Sequence, residues 1–159
     1  MDERHNHALV LFEKAYALQM EGSLEEAIRL YSRSIEAYPT AEAYTFRGWT
    51  YSFLGDFNRA IEECLRAIEV DPAYGNPYND IGAYLIEQGR WNEAISWLER
   101  ATRAPRYDHT CFAHFNLGRV FERRQDFGGA ERHYERALET DPGYRPARLA
   151  LRRLRANWN

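Results

Sequence analysis

Four segments of this chain are near-copies of one another. LEEAIRLYSRSIEAYP, FNRAIEECLRAIEVDP, WNEAISWLERATRAP and FGGAERHYERALETDP align on Ala27, Ala60, Ala94 and Ala130, at spacings of 33, 34 and 36 residues. A period of this length constrains the fold more than any composition. One unit is too small to bury its apolar face alone, so consecutive units must stack. The expected product is a helical-repeat array with a long concave wall, a shape suited to binding that brings no catalytic machinery of its own.

Each unit holds two helical patterns and a short turn. In the second, Tyr44, Arg47, Gly48 and Tyr51 recur at i, i+3, i+4, i+7, an amphipathic stripe. Leu54-Gly55-Asp56 interrupts it, with Gly55 suited to end one helix and Asp56 to start the next. Phe57, Ala60, Ile61, Cys64, Leu65 and Ile68 form a second stripe, which stops at Val70-Asp71-Pro72 because proline disfavours helix in the residue before it. The same turns recur at Glu21-Gly22-Ser23, Gln88-Gly89-Arg90 and Gln125-Asp126, and the same stops at Pro39, Pro105 and Pro142. The 36-residue interval marks a longer turn around Arg106-Tyr107-Asp108-His109. Tyr144–Asn157 reads as a ninth, arginine-backed helix that caps the array, whereas Leu9 and Val10 leave the N-terminal helix apolar on most sides.

Aligned slot by slot, the chain resembles the tetratricopeptide repeat family. The large first slot holds Leu11, Tyr44, Tyr78 and His114, the small slot Ala15, Gly48, Gly82 and Gly118, and the Tyr slot Leu18, Tyr51, Leu85 and Phe121. The second helices carry the four alanines, then Tyr31, Cys64, Leu98 and Tyr134, then Ser34, Ala67, Ala101 and Ala137. The family's Leu slot holds Lys14 and Arg47 in the first two units, a departure, and Pro105 falls one residue early. The resemblance implies an all-α fold, a right-handed superhelical α-α solenoid in a single domain over 1–159. Its repeats are expected at about 8–40, 41–74, 75–110 and 111–144, with a capping helix at about 144–157.

In such arrays the first helices line the concave face, which implies a peptide- or partner-binding surface. The residues expected there are Phe12, Tyr16 and Gln19; Glu42, Thr45, Phe46, Trp49 and Ser52; Asn76, Asn79, Asp80, Ala83 and Ile86; Phe112, Phe115, Asn116, Arg119 and Arg123; and Arg153 on the last helix. Phe12, Tyr16, Phe46 and Trp49 offer apolar anchoring area. Asn79, Asp80 and Asn116 offer polar partners for an extended main chain, and Arg119, Arg123 and Arg153 suit an acidic group. The aromatics compete with a plainer role as packing between repeats. Co-chaperones of the family that grip chaperone C-terminal carboxylates need Lys, Asn and Arg at set positions. Here those positions hold Phe12/Tyr16, Phe46 and Asn76/Asp80, or one repeat later Thr45/Trp49, Asp80 and Phe112/Asn116, so the cations are missing.

Other function classes find little support. Residues 1–99 carry 17 acidic and 8 basic side chains, a balance of −9, and residues 100–159 carry 7 and 13, a balance of +6. Lys14 is the single lysine, and the arginines gather at one end instead of forming a stripe, which argues against nucleic acid. His109, Cys111 and His114 are ligand-type residues at poor spacing for one helix face, and no nucleophile, phosphate-loop or metalloprotease pattern occurs, so neither metal, cofactor nor enzyme activity is expected. Cys64 falls in a packing register. No apolar run approaches the roughly 20 residues of a membrane span, and the N-terminus lacks signal-peptide features. The expectation is a non-catalytic, cytoplasmic, bacterial scaffold for a protein or peptide partner. A homo-oligomer built through the uncapped N-terminal helix is the alternative.

Overall fold

The structure, a computed structural model, describes residues 2–157. Among them are nine helices: α1 Glu3–Glu21, α2 Leu24–Ala37, α3 Ala41–Phe53, α4 Phe57–Val70, α5 Asn76–Glu87, α6 Trp91–Arg103, α7 Thr110–Arg123, α8 Phe127–Thr140 and α9 Arg145–Ala156. The first eight form four antiparallel pairs, and α9 lies on α8.

Local chemistry sets the boundaries. Asp56 and Asp126 start α4 and α8, their carboxylates accepting the backbone N–H of Arg59 and Gly129 and so satisfying an amide the helix leaves free. Gly22, Gly55 and Gly89 end three of the first helices with left-handed φ angles of 87°, 80° and 76°. The fourth pair turns through Gln125 at φ 62°, a conformation that its side chain disfavours.

Packing then follows the repeat. Ala27, Ala60, Ala94 and Ala130 are fully buried. A Cβ added to Gly82 or Gly118 would stand 2.4 Å from Leu98 or Tyr134, so the missing side chain is what lets paired helices meet. Tyr31 and Tyr134 fill equivalent places in the first and last pairs, and their hydroxyls donate to Gln19 Oε1 at 2.7 Å and Glu122 Oε1 at 3.4 Å. Arg47, in the family's Leu slot, is accommodated by a largely buried bidentate pair with Glu63 (2.5 and 2.9 Å) and a bond from Nη1 to Ser32 Oγ at 3.0 Å.

Adjacent helices touch throughout, but helices two apart pack substantially only in the odd series: α1 on α3, α3 on α5, α5 on α7. The odd helices therefore form the inner, shorter wall, and their exposed faces converge.

Candidate functional site

That inner wall carries two hollows. The first, of about 310 Å³, is lined by Tyr16, Thr45, Phe46, Trp49, Asn76, Asn79, Asp80, Tyr107, His109 and Phe112. Phe46 is its hub, meeting Phe12 edge-on at 5.2 Å between centroids, and Tyr16 and Trp49 at 5.8 Å each. Such contacts place electropositive ring edges on electronegative faces, which fixes the rings before any ligand arrives. Trp49 also packs on Phe53 at 5.1 Å, and Phe53 is 54% exposed, carrying the apolar surface beyond the hollow. Asp80 lies among these rings. Burial pushes its carboxyl up to about 7, partly offset by the Asn79 amide beside it.

The turn after α6 closes the far side. The Gly75 N–H donates to Arg106 O at 3.1 Å and the Arg106 N–H to Ala73 O at 2.9 Å, a short parallel bridge between two inter-repeat turns. Arg106 Nη2 reaches Glu42 Oε1 at 2.8 Å and Asp71 Oδ2 at 2.7 Å, with its guanidinium 4.6 Å from the Tyr74 ring centre. The hydrogen bond from Arg106 holds the Asp71 carboxyl below its usual range. This clamp presents Tyr107 and His109 to the hollow, and His109 stacks on Phe112 at 5.3 Å.

The second hollow, of about 860 Å³, lies between α7, α8 and α9. Trp91, Phe115, Phe127, Pro146 and Leu149 supply its apolar walls, and Glu122, Arg119, Arg123 and Arg153 its charges. Arg119 and Arg123 each stand 5.9 Å from the Trp91 ring centre, and among the described residues neither pairs with a carboxylate. A buried polar ladder joins the two hollows: Asn116 Nδ2 donates to Asn79 Oδ1 at 3.1 Å, and Arg119 Nη1 donates to Asn116 Oδ1 at 3.2 Å.

Set against the sequence expectations, Tyr16, Thr45, Phe46, Trp49, Asn76, Asn79, Asp80 and Phe112 meet in the first hollow, and Phe115, Arg119, Arg123 and Arg153 in the second. Burial and pairing set some of the expected residues apart. Phe12 lines neither hollow; it is partly buried, packed with Phe46 against the Ala15, Ala27 and Tyr31 cluster. Thr45 is 2% exposed and its hydroxyl donates to Ala41 O of its own helix. Asn79 and Asn116, at 7% and 8%, spend amide groups on each other, so they are not free donors and acceptors. Gln19 and Ile86 are buried. Arg153 donates to both carboxylate oxygens of Glu122 at 2.8 Å, which neutralises much of its charge.

His109, Cys111 and His114 do not converge. His109 faces the first hollow, Cys111 is buried beside Ala137 and Ala147, and His114 packs on His133 with 3.5 Å between Nδ1 atoms. Tyr107 and His109 are the site residues missed at the sequence level, although the longer turn marked where they would lie. Cys64 is fully buried, and burial pushes its thiol well up.

Sequence profiles of the tetratricopeptide repeat match residues 9–41, 41–74 and 74–142, with the odd and even helices of the structure in the expected alternation. The chain belongs to the tetratricopeptide repeat family. It is 24% identical over 166 residues to human Tetratricopeptide repeat protein 16, covering 89% of this chain but 19% of that protein. The chain spans about a fifth to a quarter of the length of the curated relatives it matches. Among solved structures it is similar to Pseudomonas aeruginosa pilF, with a TM-score of 0.89 at 21% identity over 96% of this chain and 69% of that one. YrrB, a TPR protein described as having an unusual peptide-binding site, aligns with a TM-score of 0.69 at 21% identity, over 94% of this chain and 77% of that one. At such identities the likeness establishes the fold: an all-α superhelical repeat. Proteins of this family mediate protein–protein contacts. No helix among the described residues is long and apolar enough to cross a membrane.

Proposed function

We propose that this array is a non-catalytic docking module that holds a peptide segment of a partner protein along its inner wall, within a cytoplasmic bacterial assembly. The observation that carries the reading is the pre-set aromatic hollow around Phe46 and Trp49, joined by the Asn79–Asn116–Arg119 ladder to a second hollow with two unpaired arginines. A peptide running along the odd helices would anchor a side chain among the rings and an acidic group near Arg119 and Arg123, which pair with no carboxylate among the described residues although Arg119 also bonds Asn116. Rings held at few rotatable bonds lose little entropy on binding, which is why they commonly dominate interfaces.

Selection of a random peptide library on the immobilised protein tests this. Enriched peptides should lose affinity by ~2 kcal/mol or more on Trp49→Ala, and associate more slowly, with weaker salt dependence, on Arg119→Glu. No enrichment, or affinity indifferent to both changes, refutes the reading.

A second reading has its own observation. Leu9 and Val10 on α1 (39% and 48% exposed) and Leu149 on α9 (46%) leave apolar surface at both ends of the stack, which favours head-to-tail self-association. Sedimentation at several concentrations decides it, and a monomer throughout ends this alternative.

A further inference from the structure

The first hollow combines two features that bear on what it accepts. Its lining is largely aromatic, with Thr45, Asn76 and Asn79 as neutral polar groups, and Asp80 is its one carboxylate, sharing the hollow with the imidazole of His109. Among the described residues no arginine or lysine pairs with Asp80. Arg106, whose clamp borders the hollow, is committed to Glu42 and Asp71. Asn79 gives its carbonyl to Asn116, leaving its amide N–H groups as the polar support for Asp80.

Three kinds of occupant can be compared. An anion meets both the carboxylate and the negative ring faces. A purely apolar side chain fills the space but strips water from a carboxylate and leaves it unpaired, which is costly. A cation on an aliphatic stem suits the rings and the carboxylate together: its methylenes lie on the rings, and its charge meets Asp80 and the ring quadrupoles, while the His109 imidazole stays stacked on Phe112.

We propose that this hollow is a subsite for a basic side chain, lysine or arginine, of the docked partner, with its stem against Phe46 and Trp49 and its charged head at Asp80. The proposal deepens the peptide-docking reading and rests on it. It gives the ligand a charge register, with a basic residue at the first hollow and an acidic group at Arg119 and Arg123. The buried Asn79–Asn116 pair between them is engaged at one end by Asp80 and at the other by Arg119.

The test uses two small probes on the full chain, Nα-acetyl-lysine methylamide and its isostere Nα-acetyl-norleucine methylamide, which lacks the ammonium. Binding is read from the Trp49 indole N–H signal by NMR. The lysine probe should saturate that signal at a concentration at least about tenfold lower than norleucine. Asp80→Asn should erase the difference while leaving the fold intact by circular dichroism. Equal binding of the two probes, a lysine preference that survives Asp80→Asn, or no response to either probe would each overturn the subsite. Enriched library peptides without a basic residue would sink this inference alone, whereas no enriched peptides would sink the docking reading beneath it.

Discussion

Replacing Asp80 with asparagine should stabilise the protein near neutral pH, and the gain should vanish in acid. The ordinary carboxyl value of 3.8 is pushed to about 7 by burial among the rings of the first hollow. The folded state therefore keeps the Asp80 proton through a window, roughly pH 4 to 7, in which the unfolded chain has already released it. Where the folded state binds more protons, stability falls as pH rises. The penalty thus grows across that window, is complete above it and is absent below it. At 1.36 kcal/mol for each unit, a separation of about three units sets a ceiling of roughly 4 kcal/mol. Asp80 keeps part of its surface in water, so we expect about 2–4 kcal/mol. Its titratable neighbours do not confuse the reading: burial pushes Tyr74, Tyr84, Tyr107 and Cys64 upward, and they stay neutral throughout. His114 and His133 are pushed down, by burial first, so their stability contribution is lost as pH falls from the ordinary histidine range, in both proteins alike, and it cancels. Urea unfolding at about pH 8 and about pH 4 measures the difference, with an unchanged slope as the control. A variant that is less stable than wild type at the higher pH, or a difference that does not change with pH, would show that Asp80 is paired or fully solvated.

Gln125→Gly relieves a left-handed backbone angle at the fourth turn and should raise stability by about 1 kcal/mol, seen as a few degrees in thermal melting. Glu63→Gln leaves the largely buried Arg47 without its bidentate partner and should cost about 3 kcal/mol in urea unfolding, whereas changing Arg47 and Glu63 together to leucine should recover most of it. Gly75→Ala adds a Cβ 2.3 Å from that of Tyr107, and should cost about 1–3 kcal/mol in the same assay while weakening response at the Trp49 indole signal.

The repeat grammar was legible because it rests on local rules. Alanines at fixed spacing, glycines in the turns and prolines after the second helices each leave one reasonable conformation, and the four copies reinforce one another. Which inner-face residues stay free was less legible, since it depends on partners from other repeats. Nothing in the sequence near Asn79 says that its carbonyl will accept from Asn116, thirty-seven residues away. Phe12 and Phe46 follow the same stripe and both pack on Tyr31, yet Phe46 alone of the two also lines the hollow. Arg153 could be placed on the last helix, but its engagement by Glu122 depends on how α9 settles against α7.

The first hollow owes its shape to the places where the repeat is imperfect. Four identical units would give an open trough, because every inner helix would present the same face at the same angle. Here the interval before α7 is longer, and the extra chain folds back onto the preceding turn, held by the bridge between Tyr74 and Arg106 and by the pairing of Arg106 with Glu42 and Asp71. That fold-back needs glycine at position 75, where Tyr107 occupies the space a side chain would take. Tyr107 and His109 then add a further side to a site otherwise lined by the regular helices α1, α3, α5 and α7. The repeat supplies the scaffold and the aromatic floor, while its irregularity supplies the closure that desolvates Asp80. The same closure that makes the ionised carboxylate costly makes it selective: above the range in which Asp80 holds its proton, an occupant that brings a positive charge relieves the penalty.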